Sequence, residues 1–342
     1  MTQEPLLTTP FCDLLGIDLP IWSAGMGGGA SGAELVAAVS GAGGLGVLGT
    51  AGLPEVVVRD EIRRIKAMTD KPFGINLLIP ALAPDEDLLQ VAIDEEVSVV
   101  VLFWGDPAPF VERAHKAGIT VVVQVGSVAE ARAVAEAGAD AVIFQAVEAG
   151  GHVRGNTALS VGLPATVSAV APLPVIASGG IADGRGLVAA LALGAQGISI
   201  GTRFLCSDES RVWGPYKDRI VAAQADDTVL TGLFDVQWPD APHRVLRNAA
   251  ITEWEAAGRP ASGSRPGEGT IVARMPVAGQ VIEVPRYHFT MPLEGLDGDM
   301  ELMCLHAGES CSLIDSIEPA ADIVAKIASD ANALLAAQRR AD

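Results

Sequence analysis

The chain has 342 residues, 49% of them hydrophobic and 19% charged, so it can bury a large core and is long enough for one barrel-sized domain with an accessory segment. Its formal net charge of −19 argues against nucleic acids and anionic membranes as partners, because both bind to basic surfaces. The 4 cysteines form no CxxC pair and no His/Cys cluster has zinc spacing, so we expect no metal site and a reducing, cytoplasmic setting. Residues 1–10 lack the features of a signal peptide, and no apolar run is long enough to span a membrane.

Short β-branched runs alternate with alanine-rich helical stretches along the first part of the chain. The predicted strands cover residues 20–23, 45–48, 73–77, 97–103, 120–125, 141–144, 175–178 and 197–200. The predicted helices between them cover residues 31–42, 54–68, 85–94, 107–116, 127–137, 161–171 and 183–193, with Ser31, Ser127 and Asp183 as caps. Strands that are apolar on both faces and alternate with helices are typical of a parallel sheet covered by helices. Eight such units predict an α/β fold of the (β/α)8 TIM-barrel type.

The alternation stops after residue 205. Residues 256–269 are rich in Gly, Pro and Ser, residues 300–305 suggest a short helix, and residues 319–340 suggest a long final helix. We therefore predict a barrel domain of residues 1–205 and 317–342. An accessory lid segment, residues 206–316, is inserted before the C-terminal helix and lies over the C-terminal face of the barrel. The final helix is expected to pack as the eighth outer helix, and the apolar content of the lid favours a homodimer.

Glycine-rich segments follow three of the predicted strands. Glycine lets the backbone approach a ligand closely because it has no Cβ. The seventh and eighth strands of many TIM barrels end at a phosphate site, so these segments predict a phosphate-bearing cofactor over the barrel mouth. The first segment lacks GxGxxG spacing, which argues against a dinucleotide-binding fold. The residues concerned are Ala24, Gly25, Met26, Ser178, Gly179, Gly180, Gly201 and Thr202.

Three amide side chains lie at or near the ends of predicted strands. Asn76 ends an apolar run, Gln124 follows three valines, and Gln145 follows Ile143-Phe144. A polar amide in an apolar strand costs stability unless it is hydrogen-bonded, and a ligand at the barrel mouth would supply the partner. Donors and acceptors at three strand ends suit the edge of a heterocycle such as an isoalloxazine.

His152 follows two glycines, Gly150 and Gly151, directly after the predicted strand 141–144. A histidine at a strand end of a barrel is placed for chemistry, because imidazole titrates near neutral pH and acts as acid, base or hydrogen-bond donor. We therefore predict that His152 is catalytic. The other histidines lie on a predicted outer helix or in the lid segment: His115, His243, His288 and His306.

Taken together, these segments resemble the nitronate monooxygenase family, formerly called 2-nitropropane dioxygenases. These are FMN-dependent TIM-barrel proteins related to the flavin type of enoyl-acyl carrier protein reductase. The resemblance covers residues 11–205, with a weaker match at 298–314. It rests on Pro20-Ile21, Ala24-Gly25-Met26, Gly43-Gly44-Leu45-Gly46, Phe73-Gly74-Ile75-Asn76-Leu77, Glu148-Ala149-Gly150-Gly151-His152, Ile176-Ala177-Ser178-Gly179-Gly180-Ile181-Ala182-Asp183-Gly184 and Gly201-Thr202-Arg203-Phe204.

The resemblance implies an FMN site and a reaction. The implied chemistry is oxidation of an alkyl nitronate, such as propionate 3-nitronate, by O2 to a carbonyl compound and nitrite, with His152 as the catalytic histidine and without a nicotinamide. Val153 separates His152 from Arg154, unlike the family's usual loop, and a longer loop is expected to re-aim the imidazole. The lid does not match a pattern that assigns substrate residues, and the candidates in it to face the flavin are Tyr287, His288 and Glu294, the first two of them as substrate residues. The expected FMN contacts are Ala24, Gly25, Met26, Asn76, Gln124, Gln145, Gly150, Gly151, Ser178, Gly179, Gly180, Gly201 and Thr202.

Three other functions fit the same residues. The first is an FMN reductase that takes hydride from NAD(P)H and passes it to a quinone or an enoyl thioester. The second is a flavin-free barrel enzyme acting on a phosphorylated metabolite, which needs the strand-end glycines but not the three amides. The third is a non-catalytic flavin-binding or interaction protein.

Overall fold

A computed structural model describes residues 7–82, 87–277 and 279–339, and eight parallel strands form its centre. Each strand pairs with its neighbour in chain order, and the eighth pairs with the first. A bridge between Trp22 and Leu45 joins the first strand to the second, so the sheet closes on itself. This confirms the predicted (β/α)8 TIM barrel. The strands are β1 (Ile21–Ser23), β2 (Gly46–Gly49), β3 (Phe73–Leu78), β4 (Val99–Phe103), β5 (Thr120–Val125), β6 (Ala141–Gln145), β7 (Val175–Ser178) and β8 (Gly197–Ile200).

The barrel strands are buried on both faces, which explains their continuous apolar runs. All residues of β4 are buried. One set of side chains, including Val101 and Ile143, fills the barrel interior, while the alternate set packs against the helices. Phe11, from the helix Pro10–Leu15, joins the interior cluster and stacks on Trp22 with ring centroids 5.3 Å apart. The barrel is therefore a packed core, and its ligands bind at the strand ends.

Among the described residues, eight helices surround the barrel. The last packs against the first and the seventh, as predicted for the eighth outer helix. Gly184 permits this contact, because a Cβ there would lie 2.5 Å from the main-chain nitrogen of Ala331. The start of the predicted helix 85–94 lies outside the described residues. The outer helices are Ala33–Gly41, Glu55–Met68, Leu88–Asp94, Ala108–Lys116, Val128–Glu136, Leu159–Val170, Gly184–Ala192 and Ala320–Arg339.

Two of the three predicted helix caps are confirmed. Ser127 accepts from the Glu130 N–H at 3.2 Å, and Asp183 accepts from the Gly186 N–H at 3.0 Å. Ser31 as a cap was wrong, because its hydroxyl donates to the Val47 carbonyl at 2.8 Å. The helix Ala33–Gly41 instead begins with the Ala33 N–H donating to the Glu61 carboxylate at 2.8 Å. A distant side chain thus replaces the local cap.

Residues 206–316 form two small sheets and several short helices over the strand ends. One sheet pairs Thr228–Thr231 with His243–Leu246 and then with Gly151–His152, which belongs to the loop after β6. The other is a hairpin, Ile271–Val277 with Gln280–Pro285, extended by Asp297–Gly298. The predicted helix at 300–305 is a 3-10 turn over Met300–Leu302. The remaining helical segments are Ile79–Ala81, Thr202–Leu205, Gly214–Val221, Ala225–Asp227, Ala249–Ala256 and Glu309–Leu313.

The lid segment shares hydrophobic clusters with the barrel loops rather than standing apart from them. Leu205 and Ala182, from the barrel, pack in one cluster with Val212, Tyr216 and Leu305. The division of the chain at residues 205 and 317 stays a prediction. Within the described part of the chain, none of the helices combines the length and the apolar character needed to cross a bilayer.

Candidate functional site

A cavity of about 630 Å³ opens at the C-terminal ends of the barrel strands, beneath the lid segment. Its volume lies within the range of roughly 300–1,000 Å³ that is usual for small-molecule sites. All predicted cofactor-binding residues line this cavity, together with His152 and His288. The strand-end residues that the sequence placed far apart are therefore brought to one site.

The glycine segment after β1 lies directly against β3. A Cβ at Gly25 would collide with the Cβ of Asn76, and a Cβ at Gly27 would lie 2.9 Å from that of Ala51. The Asn76 side chain donates to the Val101 carbonyl at 3.1 Å, which fixes its amide at the cavity wall. Only glycine lets this backbone pack so closely against the strand ends, and the segment forms part of the cavity wall.

The ends of β7 and β8 form a concave backbone surface. Gly179 and Gly180 have φ values of +102° and +71°, and consecutive N–H groups in such a turn can surround an anion. Thr202 accepts from the Gly308 N–H at 3.0 Å, which leaves its hydroxyl proton free to donate. Among the described residues that line the cavity there is no Lys or Arg. An anion bound here would be held by N–H and O–H donors.

Gln145 has a different environment from that expected of a ligand-facing amide. Its Nε2 donates to the His152 carbonyl at 2.8 Å, and its Oε1 accepts from the Arg154 N–H at 3.0 Å. It thus bonds to the backbone on both sides of Val153. Val153 is buried, and its N–H donates to the Pro242 carbonyl at 2.8 Å. The extra loop residue is therefore accommodated by the lid sheet, and His152 still lines the cavity.

His152 lies among aromatic rings at the cavity wall. Its ring centroid is 4.0 Å from that of Trp238 and 5.7 Å from that of Phe289. Its Nε2 is buried and has no hydrogen-bond partner in the described chain. Burial lowers the pKa of His152 well below its ordinary value, and the neighbouring imidazoles of His306 and His243 lower it further. The imidazole is therefore neutral at pH 7, and its Nε2 is buried beside the cavity without a partner among the described residues.

His243 connects the lid strand to the loop that carries Trp238. Its Nε2 accepts from the Phe234 N–H at 3.2 Å, so its Nδ1 carries the proton and donates to the Ala241 carbonyl at 3.0 Å. Burial lowers the pKa of His243, which keeps this tautomer at neutral pH. His243 pairs with His152 across the two strands. Its ring bonds to Phe234 and Ala241, which lie on either side of Trp238 in the loop.

His306 lies behind His152, with ring centroids 5.6 Å apart. Its Nε2 donates to the Phe289 carbonyl at 2.9 Å, and burial lowers its pKa to about 3. Within the described chain, no group of three or more His, Cys, Asp or Glu side chains could hold a metal ion. Sequence reasoning assigned no role to His243 or His306, because only strand pairing within the lid brings them to His152.

The three lid residues expected to face the flavin or the substrate have different surroundings in the structure. His288 lines the cavity and stacks on Phe289, with centroids 4.7 Å apart. Tyr287 does not face the cavity: its ring is fully buried between the guanidinium groups of Arg265 and Arg286, and its hydroxyl donates to the Pro266 carbonyl. Glu294 is exposed to solvent and does not line the cavity. Tyr287 belongs to the turn that follows the strand Gln280–Pro285 and has a φ of +68°, a turn geometry that the local sequence did not indicate.

Known proteins with similar sequences carry names that assign them different substrates. The chain is 40% identical over 255 residues to the (3aS,4S,5R,7aS)-5-hydroxy-7a-methyl-1-oxo-octahydro-1H-indene-4-carboxyl-CoA dehydrogenase of Mycobacterium tuberculosis, covering 74% of this chain and 70% of that protein. It is 36% identical over 270 residues to a nitronate monooxygenase of Pseudomonas aeruginosa, covering 66% of this chain and 77% of that protein.

Solved structures with the same architecture include FabK from Thermotoga maritima, with a TM-score of 0.79, 33% identity, and 98% of this chain and 100% of that chain covered. The nitroalkane oxidase of Streptomyces ansochromogenes gives a TM-score of 0.77 at 30% identity, over 96% of this chain and 100% of that chain. The family model described as nitronate monooxygenase matches residues 8–88 and 83–330. The barrel, its strand-end cavity and this match lead to one conclusion: the chain is a flavin-dependent oxidoreductase that belongs to the nitronate monooxygenase family.

Proposed function

We propose that the cavity holds FMN. The glycine segment at Gly25 and Gly27 places backbone at the cavity wall for the ring system, and Asn76 and Gln124 line the same cavity with amide groups. The left-handed turn at Gly179-Gly180 and the Thr202 hydroxyl suit the phosphate. When bound, FMN supplies the redox chemistry by accepting electrons from the substrate.

Gly180→Ala should weaken FMN binding by about 10-fold or more, because a side chain at a positive φ strains the turn by ~1 kcal/mol or more and displaces the N–H donors. Gly118→Ala is the matched control. Gly118 has a φ of +74°, close to the +71° of Gly180, and a Cβ added there would have no atom within 4 Å. It lies just before β5, at the N-terminal end of that strand and away from the cavity.

Both variants should lose similar stability, but only Gly180→Ala should lose FMN affinity, measured by fluorescence titration of the apoprotein. Equal FMN affinity in the two variants would contradict the assignment.

We further propose that the protein oxidises alkyl nitronates with O2 to a carbonyl compound and nitrite. The observation that carries this proposal is the buried, unpartnered Nε2 of a neutral His152 beside the cavity. A neutral imidazole can accept the α-proton of a nitroalkane, which yields the nitronate, and can hold that proton next to the anion. The apolar rings of Trp238 and Phe289 flank the His152 imidazole, and an apolar environment strengthens the interaction between imidazolium and anion.

A second candidate is an NAD(P)H-dependent reductase that acts on an enoyl thioester or a quinone. It is favoured by the 40% identity to a relative whose name assigns it a carboxyl-CoA substrate. The same cavity and the same histidine would serve it, since protonation next to a thioester carbonyl also needs one acid–base group at the flavin.

Anaerobic stopped-flow spectroscopy separates the two candidates. The FMN-loaded protein is mixed separately with propionate 3-nitronate, with NADH and with NADPH, and the flavin absorbance is followed. Rapid bleaching by nitronate alone supports nitronate oxidation. Bleaching by a nicotinamide and none by nitronate overturns it in favour of the reductase. A colourless protein that cannot be reconstituted with FMN overturns both and leaves a flavin-free barrel enzyme.

A further inference from the structure

The tautomer of His288 is fixed by its neighbour Thr290. The Nδ1 of His288 accepts from the Thr290 backbone N–H at 3.1 Å, and the Thr290 hydroxyl lies 2.7 Å from the same nitrogen. A nitrogen that accepts from a backbone N–H carries no proton, so the hydroxyl donates to it as well. The single proton of the neutral ring is therefore on Nε2. Burial lowers the pKa of His288, which favours this neutral form.

The cavity consequently has two imidazoles with different roles. His288 stacks on Phe289 with an interplanar angle of 22°, and the Phe289 ring lies 5.7 Å from that of His152. All three residues line the cavity. His152 offers a buried nitrogen without a partner, whereas His288 offers an N–H donor across the Phe289 ring.

We propose that His288 is a specificity-determining residue, which donates its Nε2–H to an oxygen of the substrate whose reacting carbon faces His152. This inference rests on the proposed function. In a nitronate the acceptor is an oxygen on nitrogen, and in a thioester it is the carbonyl oxygen. Both substrates share one arrangement. The reacting carbon is bonded to a planar atom, nitrogen or carbonyl carbon, and that atom carries the oxygen that accepts the hydrogen bond. Because the described cavity lining has no Lys or Arg, a neutral N–H donor is well placed to select this group.

Two substitutions at this position test the proposal. His288→Phe keeps a ring on Phe289 and removes the donor, whereas His288→Gln places an amide N–H near the original Nε2. His115→Phe, on the outer helix Ala108–Lys116, is the control. The probe is isobutyrate, an inert carboxylate with the shape of propane-2-nitronate, and its Kd for the FMN-loaded protein is measured from the change in flavin absorbance. The KM and kcat for whichever substrate the wild type turns over are measured in parallel.

We expect His288→Phe to raise the Kd of isobutyrate and the KM by about 10- to 100-fold, with kcat changed far less, because a hydrogen bond to a charged acceptor is lost. In His288→Gln the Kd of isobutyrate and the KM should return most of the way to their wild-type values. His115→Phe should change neither the Kd nor the KM. A change of less than twofold in His288→Phe, or no isobutyrate binding by the wild type, overturns the role of His288. If isobutyrate binding depends on His288 but nitronate is not oxidised, the inference stands and the acceptor is the thioester carbonyl.

Discussion

Replacing His152 by phenylalanine should lower kcat/KM by about 10²- to 10⁴-fold, the usual contribution of a general acid–base group, while the FMN content stays unchanged. His152→Phe keeps an aromatic ring against Trp238, whose centroid lies 4.0 Å away, so the cavity wall is preserved. The fall in kcat/KM would then be caused by the loss of the imidazole nitrogens and not by a collapse of the cavity wall. The measurement is steady-state turnover, after FMN content is equalised by absorbance. The substrate is the neutral nitroalkane if nitronate is oxidised, because only this form has an α-proton for His152 to accept, or the enoyl thioester if the protein is a reductase.

The pH profile adds a second readout for His152. Since burial and the two neighbouring imidazoles lower its pKa, the base stays deprotonated as the pH falls through the ordinary histidine value of about 6.5. The wild-type kcat/KM should therefore decline only below about pH 6.5. The residual kcat/KM of His152→Phe should not show this decline at acid pH. A variant that retains more than about one third of wild-type kcat/KM would remove His152 from the catalytic role.

Acid should destabilise the folded protein through its buried histidines, and His306 is one of those whose pKa is lowered by burial. The folded-state pKa of His306 is about 3, whereas the unfolded chain has the ordinary value of about 6.5. Below about pH 6.5 the unfolded chain binds a proton that the folded protein does not bind. The stability that the neutral His306 allows is thus fully present above the unfolded-state pKa of about 6.5. It is lost as the pH falls toward the folded-state pKa of about 3. The loss is about 1.4 kcal/mol per pH unit, or on the order of 5 kcal/mol over the whole window.

A loss of this size is comparable to the total stability of many domains, which is about 5–15 kcal/mol. We expect the free energy of unfolding, measured by urea titration between about pH 6.5 and 5, to fall more steeply in the wild type than in His306→Gln, by about 1.4 kcal/mol per pH unit. Most carboxylates stay deprotonated between about pH 6.5 and 5, so they contribute little to the slope. Gln retains an amide N–H that can donate to the Phe289 carbonyl. Equal slopes in the two proteins would show that His306 takes up no proton on unfolding.

The local sequence was sufficient to predict the barrel. Continuous runs such as Val99–Phe103 are buried on both faces, and only a parallel strand covered by helices gives each residue of such a run an apolar neighbour. The glycines after β7 were also interpretable locally, because the turn at Gly179-Gly180 requires positive φ values. The convergence of these positions on one cavity follows from the closure of the barrel, since all parallel strands end on the same face.

The tertiary structure decided what surrounds His152. His243 pairs with it across strands, His306 lies behind it, and His288 lies beyond Phe289. Nothing in the local pattern of residues 206–316 indicates this arrangement, because it depends on the register between a barrel loop and a lid strand that are distant in sequence. Ser31 and Tyr287 were misjudged for the same reason, since their partners are distant residues. Periodicity and turn chemistry are local properties and determine the barrel, whereas the tautomers and pKa values at the site depend on long-range packing, which only the folded chain fixes.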